Sequence, residues 1–166
     1  SATASGQPVK SSCAAAADLG TTTVVVRLYD LSSGAELATC SGWNAQAPYG
    51  ADVISRIQYT LEQPDGLNEL SQRIRAQVWV LVSDALARSG RAPDTLREIT
   101  LAGNTVMQHL FAGYSVRGIA AAPFRPETLF AVPGGETLHG VPVRFAPCVA
   151  GYVGGDITAG LLAAGL

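Results

Sequence analysis

With 166 residues, 48% of them hydrophobic and only 14% charged, the chain has the makings of one domain with a sizeable core, which excludes a disordered protein. A formal net charge of -2 leaves no basic excess for nucleic acid, and no uncharged apolar run reaches the 18 residues that a membrane span needs. The three cysteines (Cys13, Cys40, Cys148) are odd in number, far apart and without a C-x-x-C pair, and His109 and His139 are equally scattered. A zinc site therefore has little support, and a reduced, cytoplasmic setting is the simplest account.

Residues 1–12 form a polar Ser/Thr/Gly/Pro stretch without the basic start and apolar segment of a signal peptide, and read as an interdomain linker or an expression boundary. An apolar run follows at 13–17, then Asp18-Leu19-Gly20-Thr21-Thr22-Thr23, then the strand-like Val24-Val25-Val26. This is two strands joined by a tight turn that carries a carboxylate, a glycine and three hydroxyls. Such a turn suits a phosphate. Gly20 is free to adopt positive φ and to let backbone N–H groups approach an anion. The threonine hydroxyls add donors, and Asp18 is placed to hold a hydrated magnesium. An ordinary hairpin turn uses the same residue types.

Residues 23–31 alternate as a strand, Ser32-Ser33-Gly34 reverse the chain, and 35–42 supply a third strand, completing an antiparallel meander. After a loop over 44–50, Asp52 is placed to cap a helix with Val53, Ile54, Ile57 and Leu61 inward. Pro64-Asp65-Gly66 interrupts it. The longest helix then aligns Leu67, Leu70, Ile74, Val78, Leu81 and Ala85 on one stripe, widened by Trp79 and Val82, until Gly90 and Pro93 stop it. A short strand over 99–102 runs into Gly103-Asn104-Thr105, where Asn104 or Thr105 caps a helix with Val106, Met107, Leu110 and Phe111 inward. His109 on that helix is a packing or surface residue rather than a ligand. Residues 114–140 are loop-rich, Val141, Val143 and Phe145 alternate as a strand, and a helix is expected over 157–166 after Gly154-Gly155-Asp156.

The order predicts an α/β domain with a mixed sheet, the meander first and parallel neighbours added through helical crossovers. Ligand groups then belong at strand ends and helix N-termini. Three glycine-flanked polar turns stand there: residues 18–23, 103–105 and 154–156. If they share one cleft, Asp18 and Asp156 divide magnesium binding and the orienting of an attacking water between them. Taken singly, the two later turns are ordinary helix caps. No G-x-x-x-x-G-K-[ST], G-x-G-x-x-G or G-x-S-x-G is present.

A strand, Asp-Leu-Gly-Thr-Thr-Thr and a second strand resemble the first phosphate motif of the actin-like ATPase superfamily, which includes sugar kinases and heat-shock chaperones. Four further segments narrow the likeness: Tyr49-Gly50-Ala51-Asp52-Val53-Ile54-Ser55-Arg56-Ile57; Gly103-Asn104-Thr105-Val106-Met107-Gln108-His109-Leu110; Ala122-Pro123-Phe124-Arg125-Pro126; and Pro147-Cys148-Val149-Ala150-Gly151-Tyr152-Val153-Gly154-Gly155-Asp156. Over residues 14–166 the chain resembles the ATPase domain of the reductive activators of corrinoid proteins.

The resemblance implies a ribonuclease-H-like fold duplicated into two lobes with ATP and magnesium between them. It implies ATP hydrolysis driving an electron from an iron–sulfur domain onto an inactivated cobalt(II) corrinoid of a methyltransferase system. It assigns Asp18, Gly20, Thr21, Thr22 and Thr23 to the phosphate and magnesium contacts, and it maps Asn104, Gly155 and Asp156 to the same cleft. The second Asp-Gly-Thr turn and the adenosine segment of the family are not in the sequence, and the cysteines lack ferredoxin spacing. Residues 13–166 are thus expected to be the first lobe only, with the second lobe and a corrinoid protein or methyltransferase subunit as partners. The face meant for the second lobe makes self-association plausible. A small-molecule kinase, an activator of another reductive enzyme, and a partner-docking lobe with a weak nucleotide site are the alternatives.

Overall fold

Alternation of inward and outward side chains builds the first hairpin of the computed structural model, which describes residues 11–148. β1 (Cys13–Leu19) buries Cys13, Ala15, Ala17 and Leu19, and β2 (Thr23–Asp30) buries Val24, Val26, Leu28 and Asp30. Their antiparallel register pairs Leu19 with Val24 and Cys13 with Asp30, so both rows face one side of the sheet. β3 (Glu36–Trp43) follows a turn in which Gly34 takes a φ of 73°, and it pairs antiparallel with β2. The expected meander is present.

β4 (Leu96–Gly103) runs parallel to β1, and β6 (Val141–Phe145) runs parallel to β4. β5 (Thr137–Leu138) pairs antiparallel with β6; at two residues it is too short for periodicity to announce it. The strand order β3-β2-β1-β4-β6-β5 puts the meander on one side of β1 and the parallel strands on the other. The expected α/β domain with a mixed sheet is thus present, six strands wide among the described residues.

The helices of the described chain pack from one side. α2 (Gly66–Arg88) crosses β2 and β3 and turns Leu70, Ile74, Val78, Val82 and Ala85 inward, fully buried. Each of its large apolar side chains contributes roughly 1.5–3 kcal/mol of transfer free energy. Trp79 is only partly buried and stacks on His139 with ring centroids 4.4 Å apart. α3 (Thr105–Ala112) buries Val106, Met107, Leu110 and Phe111 as expected, and Gly113 closes it in the left-handed region. α4 (Arg117–Ala120) is a single turn within the long loop.

α1 (Val53–Glu62) departs from its expected face. Asp52 does cap it, accepting the Ser55 N–H at 2.7 Å while Ser55 Oγ receives the Asp52 N–H. Ile54 and Leu61, however, stand 69% and 41% exposed, and the inward positions belong to Ile57 and Arg56. A charged residue occupies a core position, which a count of apolar residues alone misplaces.

Two buried titratable groups make stability depend on pH. His109 is the packing residue expected: Thr128 N–H donates to Nε2 at 3.3 Å and Nδ1 lies 2.6 Å from the Thr105 carbonyl oxygen, a pairing that the neutral Nδ1–H tautomer satisfies. Burial pushes its pKa below the ordinary 6.5. The unfolded chain then takes up this proton first, so the contribution is full above about 6.5 and shrinks as pH falls below it. Asp30 is held well below the usual carboxylate range by hydrogen bonds from Ser11, Ser32 and Ser33 and by Arg91, whose NH2 lies 2.6 Å away. Its contribution is full above about pH 4 and is lost below that. The urea midpoint should therefore fall in two steps on acidification. A midpoint that stays level from about pH 8 to about pH 5 would remove His109 from the account.

Candidate functional site

The bend between β1 and β2 holds its backbone in an unusual way: three successive carbonyls are pulled toward the protein. Gly20 O accepts from Asn44 Nδ2 at 2.8 Å, Thr21 O from Arg56 NH2 at 2.7 Å, and Thr22 O from the Asn44 N–H at 2.8 Å. In a planar trans peptide the C=O and the following N–H point in opposite directions. The N–H groups of Thr21 and Thr22 are thereby turned away from Asn44 and Arg56, and neither finds a partner among the described residues. Adjacent outward amides of this kind form an anion-binding concavity.

Gly20 serves this turn differently from expectation. It does not enter the left-handed region; a Cβ at this position would run into the Thr23 carbonyl oxygen. The requirement is for room rather than for left-handed backbone.

Asp18 lies between the buried Ala17 and Leu19, so the pleat points it to the opposite side of the sheet from α1–α3, where it is exposed. Thr22 and Thr23 are exposed beside it and Thr21 is half-buried. Parallel pairing aligns Leu19 with Gly103, which brings the end of β4 alongside. Asn104 then caps α3, accepting the Met107 N–H at 2.9 Å, while its Nδ2 donates to Thr21 Oγ1 at 3.3 Å. Two of the three expected turns thus meet at one end of the sheet, with the positive end of α3 pointing into it. The third, with Gly155 and Asp156, lies outside the described residues, as does the helix expected over 157–166.

One exposed carboxylate and neighbouring hydroxyls are hard oxygen donors, the kind magnesium takes when substrate phosphates supply the rest of its shell. The donor set fits that ion. Among the described residues no group of three His, Cys, Asp or Glu side chains is placed to hold a metal, and all three cysteines are buried and outside any disulfide.

Beneath the turn lies a polar layer that sequence reasoning missed. Arg56 is fully buried, and besides Thr21 O it donates to Gly50 O at 2.8 Å, to Gln46 Oε1 at 3.4 Å and to Met107 Sδ at 3.4 Å. Burial lowers its pKa, with Asp52 opposing. Gln46, also fully buried, donates its N–H to Asn44 Oδ1 and its Nε2 to Leu70 O. The signal that marks this layer in the sequence is an arginine beside Ile57 on the inward side of α1.

A family model described as the RACo middle region matches residues 13–166. The corrinoid activation enzyme RamQ of Eubacterium limosum is 32% identical over 151 residues, covering 87% of this chain and 26% of its own. A solved structure of a reductive activator for a corrinoid, iron–sulfur protein is 40% identical, with a TM-score of 0.86 over 97% of this chain and 27% of that one. The chain spans about a quarter of the length of each.

Proposed function

The chain belongs to the RACo middle region family, and from that premise we propose that it is the first nucleotide-binding lobe of an ATP-dependent reductive activator. Homology to corrinoid activation enzymes supports a part in corrinoid reactivation. The observation that carries the nucleotide role is the pair of outward amides at Thr21 and Thr22, beside Asp18 and Asn104. In this proposal the two amides and the threonine hydroxyls grip the ATP phosphates. Asp18 holds magnesium through water, Asn104 steadies the turn, and Asp156 orients the attacking water. Bound MgATP supplies the free energy of hydrolysis that drives the reduction. The electron comes from an iron–sulfur domain outside this chain, and its acceptor is the cobalt(II) form of a corrinoid protein in a cytoplasmic methyltransferase system, which becomes cobalt(I).

The second half of the phosphate clamp and the adenosine contacts belong, in this proposal, to a lobe outside residues 13–166. The isolated chain should therefore bind MgATP only weakly and hydrolyse little of it, because the closure that completes the site is missing. Calorimetric titration of this chain and of the full-length protein checks that. Micromolar affinity in the isolated chain would contradict the single-lobe assignment. The activity itself is tested in the full-length protein by following the cobalt(II) to cobalt(I) absorbance change with and without MgATP. An equal rate in both would remove ATP from the mechanism.

A further inference from the structure

Arg56 sits directly behind the phosphate turn. Its side chain is fully buried, and the acceptors around it are two backbone carbonyls, an amide oxygen and a thioether sulfur. No carboxylate comes within ion-pair distance of it among the described residues. Asp52, at the start of the same helix, offsets part of this charge from beyond ion-pair distance, and a buried cation with no direct anionic partner is costly. An anion on the far side of the Thr21–Thr22 peptide, where the two amides point, would balance the rest.

We infer that Arg56 is a positioning residue of the nucleotide site. By holding the Thr21 carbonyl it fixes the outward direction of the Thr22 N–H, and it supplies permanent positive charge one peptide behind the phosphates. The inference rests on the nucleotide reading proposed above. It also ties α1 to the turn, because the same guanidinium holds Gly50 O at the approach to that helix.

The experiment compares MgATP and adenosine binding in the full-length protein for wild type, Arg56→Met and Arg56→Lys. Adenosine lacks the phosphates and reports on the other lobe, so the fold of residues 13–166 is checked separately by the urea midpoint of each variant in the isolated chain. Loss of the buried charge should weaken MgATP by about tenfold or more, as expected for a charge behind an anion at a protein-like dielectric, and leave adenosine unchanged. Arg56→Lys keeps the charge but cannot bridge both carbonyls, and should fall between the two. If Arg56→Met does not fold, Arg56→Lys decides: MgATP weakened several-fold with adenosine unchanged supports the role. Unchanged MgATP affinity in a folded variant, or equal weakening of both ligands, overturns it. A wild-type protein that binds no MgATP would instead sink the nucleotide reading itself, an outcome distinct from either.

Discussion

Replacing Asp18 by alanine in the full-length protein should lower MgATP-dependent reduction of the corrinoid by about a hundredfold or more, the usual cost of removing one group that stabilises charge in a phosphoryl-transfer site. The fold should survive. Asp18 is exposed on the side of β1 away from α1–α3, and the inward row of that strand is carried by Cys13, Ala15, Ala17 and Leu19. A carboxylate at this place has a defined task in the proposed mechanism, which is to anchor the hydrated magnesium that neutralises the phosphates. Asp18→Asn sharpens the test, since it keeps the size and the hydrogen-bonding capacity and loses only the charge. Both variants should need higher magnesium to reach half-maximal ATP hydrolysis. Unchanged ATPase activity in either would rule out the assigned role.

Most of the fold was legible in the sequence because its signals are local. The apolar run at 13–17 and the branched residues from 23 to 31, on either side of one polar turn, announced two paired strands, and Asp52 and Asn104 announced their helices by the caps they form. The long stripe from Leu70 to Ala85 needed no tertiary information. What could not be read was long-range. The parallel pairing of β1 with β4 places Thr21 beside Asn104, 83 residues away, and spacing alone could offer that only as a possibility. The polar layer of Asn44, Gln46 and Arg56 was hidden for the opposite reason. Each residue looks like ordinary loop or helix surface until the carbonyls of Gly20 and Thr21 arrive from another element to receive it. Ile54 was misplaced by the same blindness: an apolar side chain was given the core position that a hydrogen-bonded guanidinium holds.

Gly103 tests whether the two turns work as one site. It ends β4 opposite Leu19, and a Cβ there would lie 2.9 Å from the Leu19 carbonyl oxygen and 3.0 Å from Leu19 Cβ. Backbone cannot rotate aside as a flexible side chain can, so Gly103→Val must push β1 and β4 apart where the phosphate turn meets the start of α3. Overpacking of this kind costs roughly 1–3 kcal/mol, which urea denaturation of the chain would register. The functional loss should be larger than the loss of stability accounts for, because separating Thr21 from Asn104 spoils the geometry on which the proposed phosphate binding depends. Gly42→Ala is the control. It also adds a Cβ within the sheet, but the nearest atom is the side-chain Gln77 Nε2 at 3.4 Å, with no backbone in the way, and the change should leave MgATP binding in the full-length protein unaltered. If Gly103→Val binds MgATP as tightly as Gly42→Ala does, the Asn104 turn has no part in the site, and the nucleotide is held by the first turn without it.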